Sequence, residues 1–128
     1  MKKYVFVVER TSTGFSAYAK NDSINVGTTG ATITELKTNI LEAFNLLNEH
    51  QGRKQVKSDE IVIELDIPQF FDYYKIINAT ALAARIGMNQ SLLAQYIGGQ
   101  KKPSEKQAEK IISGVKEAAR EILELELA

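Results

Sequence analysis

Two hydrophobic patterns divide the chain. In its first half, short segments are either rich in Val, Phe and Tyr or alternate apolar with polar residues, and both patterns are typical of strands. Clusters of Thr, Ser, Gly, Asn and Asp separate the first of these segments and predict turns. The predicted strands are Lys3 to Arg10, Phe15 to Lys20, a short segment of Ile24 and Val26 that Gly27 to Gly30 ends, and Glu60 to Ile67, which Pro68 stops.

One predicted helix interrupts the strands. Before the fourth strand the apolar residues recur every three or four positions, so they form one face of a helix. Its members are Ile33, Leu36, Ile40, Phe44 and Leu47. Thr32 or Thr34 is suited to cap the start, and Gly52 follows the end. An antiparallel sheet with this helix on one face is the simplest α+β arrangement for residues 1–67.

Everything after Pro68 has helical spacing. The predicted helices are Gln69–Ile77, Ala79–Ile86, Gln90–Ile97 and Ser104 to about Leu127. We therefore predict a second, all-α domain over residues 68–128. No flexible linker precedes it, so we expect the two domains to be closely coupled.

The composition limits the classes of partner. Lys and Arg together number 16, as do Asp and Glu, so any surface that attracts nucleic acid must be local. The absence of cysteine excludes disulfides and thiolate sites. The apolar runs are too short for a membrane span, and no small-residue cleavage site follows the opening MKKYVFVVER. We expect a cytoplasmic protein without a cofactor, a metal or a membrane partner.

The stretch LAARIGMNQSLLAQYIGGQKKPS, Leu82 to Ser104, predicts two short helices joined by a turn that contains glycine. Asn78 and Asn89 are good N-cap residues, and Gly87 lies where the first helix needs a left-handed residue. Between Lys75 and Lys110 there are six cations and two carboxylates, a local net charge of +4 in a neutral chain. The pattern favours a DNA-binding helix-turn-helix, and an ordinary helical hairpin with a glycine cap is the alternative. The predicted inward-facing residues are Leu82, Ala83, Ile86, Met88, Leu92, Leu93 and Tyr96.

This stretch resembles the phage-repressor (Cro-like, XRE-type) helix-turn-helix family over roughly Phe71 to Val115. The matching residues are Leu82, Ala83, Gly87, Gln90, Ser91, Tyr96, Gly99, Lys101, Pro103 and Ser104. The resemblance implies that the second helix lies in the major groove of DNA. The base contacts that it implies come from Asn89, Gln90, Ser91 and Gln95, and the phosphate contacts from Asn78, Thr80, Lys101 and Lys102. The family commonly has a glutamine at the start of the first helix, where this chain has Ala79.

The first half resembles the HicB-like antitoxin family over about Lys3 to Asp66. The matching features are the opening strand YVFVVE, the segment GFSAYA, Gly27 leading into TTGATITEL, and the following helix with EAF. The resemblance implies a partial ribonuclease-H-like α+β domain, a HicA-type toxin as partner and the operon's own promoter as DNA target. Many relatives carry Pro-Asp and Pro-Gly features after the second strand, where this chain has KNDSIN. A stand-alone helix-turn-helix regulator, or a protein-interaction module without a toxin, is the alternative.

The last predicted helix carries an apolar stripe. Its members, spaced four, three, four and three residues apart, are Ile111, Val115, Ala118, Ile122 and Leu125. Part of this stripe must cover the helix-turn-helix core, and the final ILELELA also alternates as a strand would. Because one helix-turn-helix reaches one half-site, we predict a homodimer or higher homo-oligomer on a palindromic double-stranded operator. The predicted interface is the sheet edge or the last helix.

Catalysis is not expected. A two-metal nuclease needs several converging carboxylates, and Glu9, Glu60, Glu64 and Asp66 are candidates only through their place on predicted strands. His50, the single histidine, lies at a predicted helix end. The sequence has no pairing of nucleophile with base, no phosphate-binding loop and no metal-ligand spacing.

Overall fold

The computed structural model describes residues 2–128, which form an α+β protein with one four-stranded sheet and five α-helices. The strands are β1 (Tyr4–Arg10), β2 (Phe15–Ala19), β3 (Gly27–Gly30) and β4 (Ile61–Glu64). The helices are α1 (Ile33–His50), α2 (Ile67–Tyr73), α3 (Ala79–Ile86), α4 (Gln90–Ile97) and α5 (Glu105–Leu123). The chain divides into two compact units, of which the first ends at Leu65 and the second is Asp66–Ala128.

The sheet is mixed, with the strand order β3-β2-β1-β4. The first three strands are antiparallel neighbours, but β4 runs parallel to β1, with Tyr4 opposite Ile61 and Val7 opposite Glu64. The prediction of an antiparallel sheet is therefore wrong at the fourth strand. The reason is the 18-residue helix α1, which connects β3 to β4 as a crossover. Such a long connection returns the chain to the end of the sheet where β3 began, so β4 runs in the same direction as β3 and β1.

The core of the first unit lies between the sheet and α1, whose prediction from the apolar spacing is confirmed. Phe6 and Phe15 on the sheet and Leu36 and Ile40 on the helix are fully buried. Of the two predicted caps, Thr32 is the one used, since its hydroxyl oxygen accepts a 3.1 Å hydrogen bond from the Glu35 amide.

The third strand lies later than predicted. Asn21 turns the chain through hydrogen bonds to Ser23 and Ile24, and Val26 pairs with the end of β2 through its carbonyl oxygen. The strand itself is Gly27–Gly30, the segment that was predicted to end it. A side chain at Gly30 would collide with the Leu36 backbone, so the close approach of α1 requires glycine at this position of the strand.

The fourth strand is shorter than predicted, and the next helix begins earlier. The Asp66 carboxylate accepts a 2.9 Å hydrogen bond from the Gln69 amide and thereby caps α2. Pro68 therefore lies in the first turn of α2, where its missing amide and fixed φ angle fit, and does not end the strand. Residues 74–77, which were predicted as helical, follow the end of α2.

The core of the second unit is built by α2 to α5. Its buried members are Ile67, Phe71, Leu82, Ala83, Met88, Leu93, Tyr96 and Ile111. Of the predicted inward-facing residues, Ile86 and Leu92 are half-buried and the others are buried. Helix α5 ends at Leu123 and residues 124–128 have no regular structure, so the predicted extension to Leu127 is wrong, and only Ile122 and Leu123 of ILELELA are helical.

Candidate nucleic-acid interface

Helix α3 has the predicted ends. The Asn78 carboxamide oxygen accepts a 3.0 Å hydrogen bond from the Ala81 amide and caps the start. Gly87 ends the helix in the left-handed region, with φ 67° and ψ 34°, and the Met88 amide donates back to the Ala83 carbonyl at 2.9 Å. This closure turns the chain sharply and places Met88 in the core, as expected.

Helix α4 begins at Gln90, three residues after the Gly87 that ends α3. The Asn89 carboxamide oxygen accepts hydrogen bonds from the amides of Ser91 at 2.8 Å and Leu92 at 3.2 Å. Leu93 and Tyr96 point into the core. The predicted base-reading residues Asn89, Gln90, Ser91 and Gln95 are all exposed, so the outer face of α4 presents amides and a hydroxyl.

A hydrogen bond joins the starts of the two helices. The Gln90 Nε2 atom donates to the Thr80 hydroxyl at 3.1 Å, across the turn that contains Gly87. The sequence analysis assigned these two residues separate roles and missed the contact, because side chains ten positions apart are brought together only by the turn. The structure thus places the first residues of α3 and α4 side by side on one exposed surface.

The two predicted phosphate-binding lysines follow the other end of α4. Lys101 and Lys102 are exposed, and neither forms an ion pair within residues 2–128. The Lys101 amide donates to the Gln95 carbonyl at 3.2 Å, and Gly99 with φ 80° makes the intervening turn. An eight-residue helix is about 12 Å long, and the lysines follow the end of it that is opposite to Gln90.

Two cations of the basic stretch are partly neutralised. Arg85 forms an ion pair with Glu121 of α5, and the Lys75 ammonium lies 3.7 Å from the Asp72 carboxylate. The local net charge from Lys75 to Lys110 therefore overstates the positive field around α3 and α4. The remaining positive charge is concentrated after α4 and on the first turns of α5.

Aromatic residues in and just after α2 pack against one another beside the core of the second unit. The Phe70 ring meets the rings of Phe71 and Tyr74 at centroid distances of 5.1 and 5.2 Å. Burial, and secondarily the neighbouring Tyr73, raise the pKa of Tyr74 above its usual value. The phenol therefore stays uncharged to a higher pH than that of an ordinary tyrosine.

Three of the four carboxylates weighed as nuclease candidates have structural partners. Glu64 lies 3.1 Å from the Lys20 ammonium, Asp66 caps α2, and the Glu60 carboxylate accepts from the Lys57 amide at 3.0 Å. Residues 2–128 hold no group of three or more His, Asp or Glu side chains placed to bind one metal ion. No helix in the same part of the chain is both long and apolar enough to cross a membrane.

Comparison of the chain with protein-family models, with curated proteins and with solved structures finds no match. The function must therefore be argued from the surface that α3 and α4 form.

Proposed function

We propose that the chain is a sequence-specific DNA-binding repressor in which α3 and α4 act as a helix-turn-helix. The observation that carries this proposal is the row of exposed polar side chains at the start of α4, on a helix that a left-handed Gly87 turn sets against α3. In such a unit the second helix enters the major groove, and its first residues meet the base edges. The alternative of a structural helical hairpin does not require polar groups to be concentrated at that end.

Gln90 is the main base-reading residue in this proposal. A glutamine carboxamide has two N–H donors and one acceptor oxygen, and Thr80 takes one of the donors. The other donor and the oxygen are left for the N7 and N6 atoms of one adenine, which is the bidentate pairing of this side chain. Thr80 holds the carboxamide in place before DNA arrives, which lowers the entropy cost of that contact.

The phosphate contacts come from both ends of the helix pair. The ammonium groups of Lys101 and Lys102 have no competing carboxylate within residues 2–128, so they are free for the DNA backbone. The exposed Thr80 and the first-turn amides of α3 supply donors at the opposite end, near Asn78. Such contacts set register and make affinity depend on salt, but they do not read sequence.

The first unit supports the extension of this proposal to an antitoxin. Three antiparallel strands, a crossover helix and a fourth strand parallel to the first are consistent with the partial ribonuclease-H-like domain that a HicB-like chain has. In this proposal the unit holds a HicA-type toxin ribonuclease, and the second unit represses the shared promoter. Co-expression with the product of the adjacent gene tests the extension. Growth arrest by that product alone and its relief by this chain are expected, and absence of arrest would contradict the toxin partnership while leaving DNA binding intact.

Titration of the purified chain against its own upstream DNA and a shuffled duplex, at several salt concentrations, tests DNA binding. We expect Gln90→Ala to weaken binding to the upstream site by about 1–3 kcal/mol and to leave the shuffled duplex unaffected. Lys102→Ala should weaken both duplexes and reduce the slope of log K against log salt by about 0.9.

Two exposed residues of the first unit provide matched controls, Gln55→Ala and Lys54→Ala, which should leave both quantities unchanged. Equal binding of both duplexes by the unmodified chain at every salt concentration would contradict sequence-specific recognition. Absence of binding at low salt would favour a protein-interaction module.

A further inference from the structure

Two clefts of the first unit meet at the start of β1. One, which we call the β2 cleft, has a volume of about 300 Å³, and its lining includes Lys3, Lys20, Asn21 and Ile24. The other, which we call the loop cleft, has a volume of about 280 Å³, and its lining includes Lys54, Gln55, Lys57 and Glu60. Lys2 and Tyr4 line both clefts, so the two are neighbours on one surface.

The lining of the two clefts is positively charged. It contains five lysines and two carboxylates, Asp59 and Glu60, a net charge of +3, whereas cations and carboxylates are equal in number over residues 1–65. One of the lysines, Lys20, is paired with a carboxylate of β4, but Lys54 and Lys57 form no ion pair within residues 2–128. Positive charge gathered on one surface of a neutral unit attracts an anionic ligand.

The lysines of the loop cleft stand on a fixed backbone, although residues 53–57 have no regular secondary structure. The Asn45 carboxamide bonds both the amide and the carbonyl of buried Val56, at 2.7 and 3.0 Å. The Lys57 amide donates to the Glu60 carboxylate at 3.0 Å. A loop that is already fixed loses little conformational entropy when a ligand binds, which distinguishes it from a mobile run of surface charges.

Lys2 marks the junction of the two clefts. Its ammonium lies 5.2 Å from the centroid of the Tyr4 ring, and this cation–π contact holds the charge at the junction. The Tyr4 ring is itself held, since it meets the Phe44 ring edge-on at a centroid distance of 4.9 Å. A cation between two clefts suits a phosphate group that links the contents of one cleft to those of the other.

Each cleft also has groups that suit a base. In the β2 cleft, the Asn21 carboxamide oxygen accepts from the Ser23 amide at 3.0 Å, which leaves the Nδ2 atom of Asn21 as a donor. In the loop cleft, Gln55 is exposed, and its carboxamide has no hydrogen-bond partner within residues 2–128. Val5 and Ile24 give the β2 cleft an apolar part. A ligand that offers charge alone, such as an acidic peptide, would leave these groups unused.

We propose that the two clefts bind a single strand of nucleic acid, with one nucleotide in each cleft and the phosphate that links them at Lys2. Basic grooves that bind single strands make their further contacts with unstacked bases. A duplex keeps its bases stacked and cannot fill the clefts, so this site is separate from the duplex-binding surface proposed for α3 and α4. The inference goes beyond the proposed function and does not rest on it. RNA and single-stranded DNA share the chemistry.

Fluorescence anisotropy of the full chain with labelled oligo(U) and oligo(dT) of about 12 nucleotides tests the site. We expect Lys54→Ala and Lys57→Ala each to weaken binding by about threefold and to reduce the slope of log K against log salt by about 0.7. Lys116→Ala is the matched control, since Lys116 is also exposed but lines neither cleft. Binding of either strand supports the proposal, and a preference for oligo(U) assigns the site to RNA through its 2′-hydroxyl groups.

Absence of binding of both strands at low salt, or an equal loss of affinity with Lys116→Ala, would overturn the proposal. Loss of binding with Lys102→Ala but not with Lys57→Ala would assign single strands to the surface after α4, and this result would overturn it as well.

Gln55→Ala tests the base contact separately from the charge. We expect it to weaken binding of oligo(U) by about threefold with no change in the salt slope, and to leave binding of inorganic polyphosphate unaltered. Polyphosphate or poly-glutamate that competes as well as unlabelled oligo(U) would show a site for charge alone and overturn the proposal. Lys57→Ala should not change binding of the upstream duplex, so a failure of this site is distinguishable from a failure of sequence-specific DNA binding.

Discussion

The carboxamide side chains of the two units differ in exposure, since Asn39 and Asn45 are half-buried whereas Asn89 and Gln90 are exposed. In the first unit, carboxamides hold backbone in place: Asn45 makes two hydrogen bonds to Val56, at 2.7 and 3.0 Å, and Asn39 donates to the Thr29 carbonyl at 2.8 Å. In the second unit, Asn89 and Gln90 stand on the exposed start of a helix and keep unused hydrogen-bonding groups. In the first unit these carboxamides fix the backbone of the fold, although the Nδ2 atom of buried Asn48 has no hydrogen-bond partner within residues 2–128. In the second unit the exposed carboxamides keep hydrogen-bonding groups that face solvent.

Burial should dominate stability in both units, and this gives the largest expected effects. Phe6 and Leu93 are the matched sites, because both are almost completely buried. We expect Phe6→Ala to lower the free energy of unfolding by about 3–5 kcal/mol and Leu93→Ala by about 2–5 kcal/mol, through lost burial and the cavities left behind. Urea unfolding followed by circular dichroism measures both. The exposed control Leu46→Ala should change stability by less than about 0.5 kcal/mol, and comparable losses at all three sites would contradict the assigned cores.

Each unit has a glycine where a neighbouring helix packs closely, Gly30 in the first and Gly114 in the second, and an added methyl group would meet a different kind of atom at each. At Gly30 an added Cβ would lie 2.6 Å from the Leu36 amide nitrogen, which α1 holds rigidly, whereas at Gly114 it would meet the Cγ2 methyl group of the Ile86 side chain. We expect Gly30→Ala to lower the free energy of unfolding by about 3 kcal/mol and Gly114→Ala by about 1 kcal/mol. The Ile86 side chain can move aside, whereas the Leu36 backbone cannot. Thermal unfolding of both variants checks the order. A larger loss from Gly114→Ala would mean that α3 and α5 pack more rigidly than the sheet and α1.

Loss of a helix cap should have the smallest effect on stability, but its effect on DNA binding should differ between the two units. Thr32→Ala and Asn89→Ala each remove one cap and should each cost about 1 kcal/mol. Only Asn89→Ala should also weaken DNA binding, because it loosens the start of α4. Asn89→Asp sharpens the test: an aspartate restores the cap, but its charge lies where DNA phosphates approach. Compared with Asn89→Ala, we expect Asn89→Asp to recover the free energy of unfolding and to lose further affinity for DNA. Recovery of both quantities would mean that DNA does not bind at the start of α4.

Local signals explain most of what the sequence predicted correctly. The caps at Asn78 and Asn89 and the left-handed Gly87 lie within four residues of the backbone that they organise, so α3 and α4 were predicted with their observed ends. The same holds for α1, where apolar spacing and a threonine cap agree. The candidate base-reading residues came instead from the resemblance to the phage-repressor helix-turn-helix family.

The errors arose where contacts distant in sequence decide the outcome. The parallel direction of β4 follows from the path of α1, and the place of β3 follows from its pairing with β2, in which Gly30 lies opposite Phe15. The pairing of Arg85 with Glu121 spans 36 positions and lowers a charge that the sequence analysis counted as available. The Thr80 to Gln90 contact, which orients the central carboxamide, depends on the turn geometry in the same way.

The central claim is that Gln90 reads a base from the start of α4. Selection of binding sites from a random double-stranded pool, with the unmodified chain and with Gln90→Ala in parallel, tests it most directly. The account predicts an inverted repeat with one adenine in each half-site that the Gln90→Ala pool no longer requires, while the other positions are kept. A pool that fails to converge with the unmodified chain, or two pools with the same adenine preference, would contradict it.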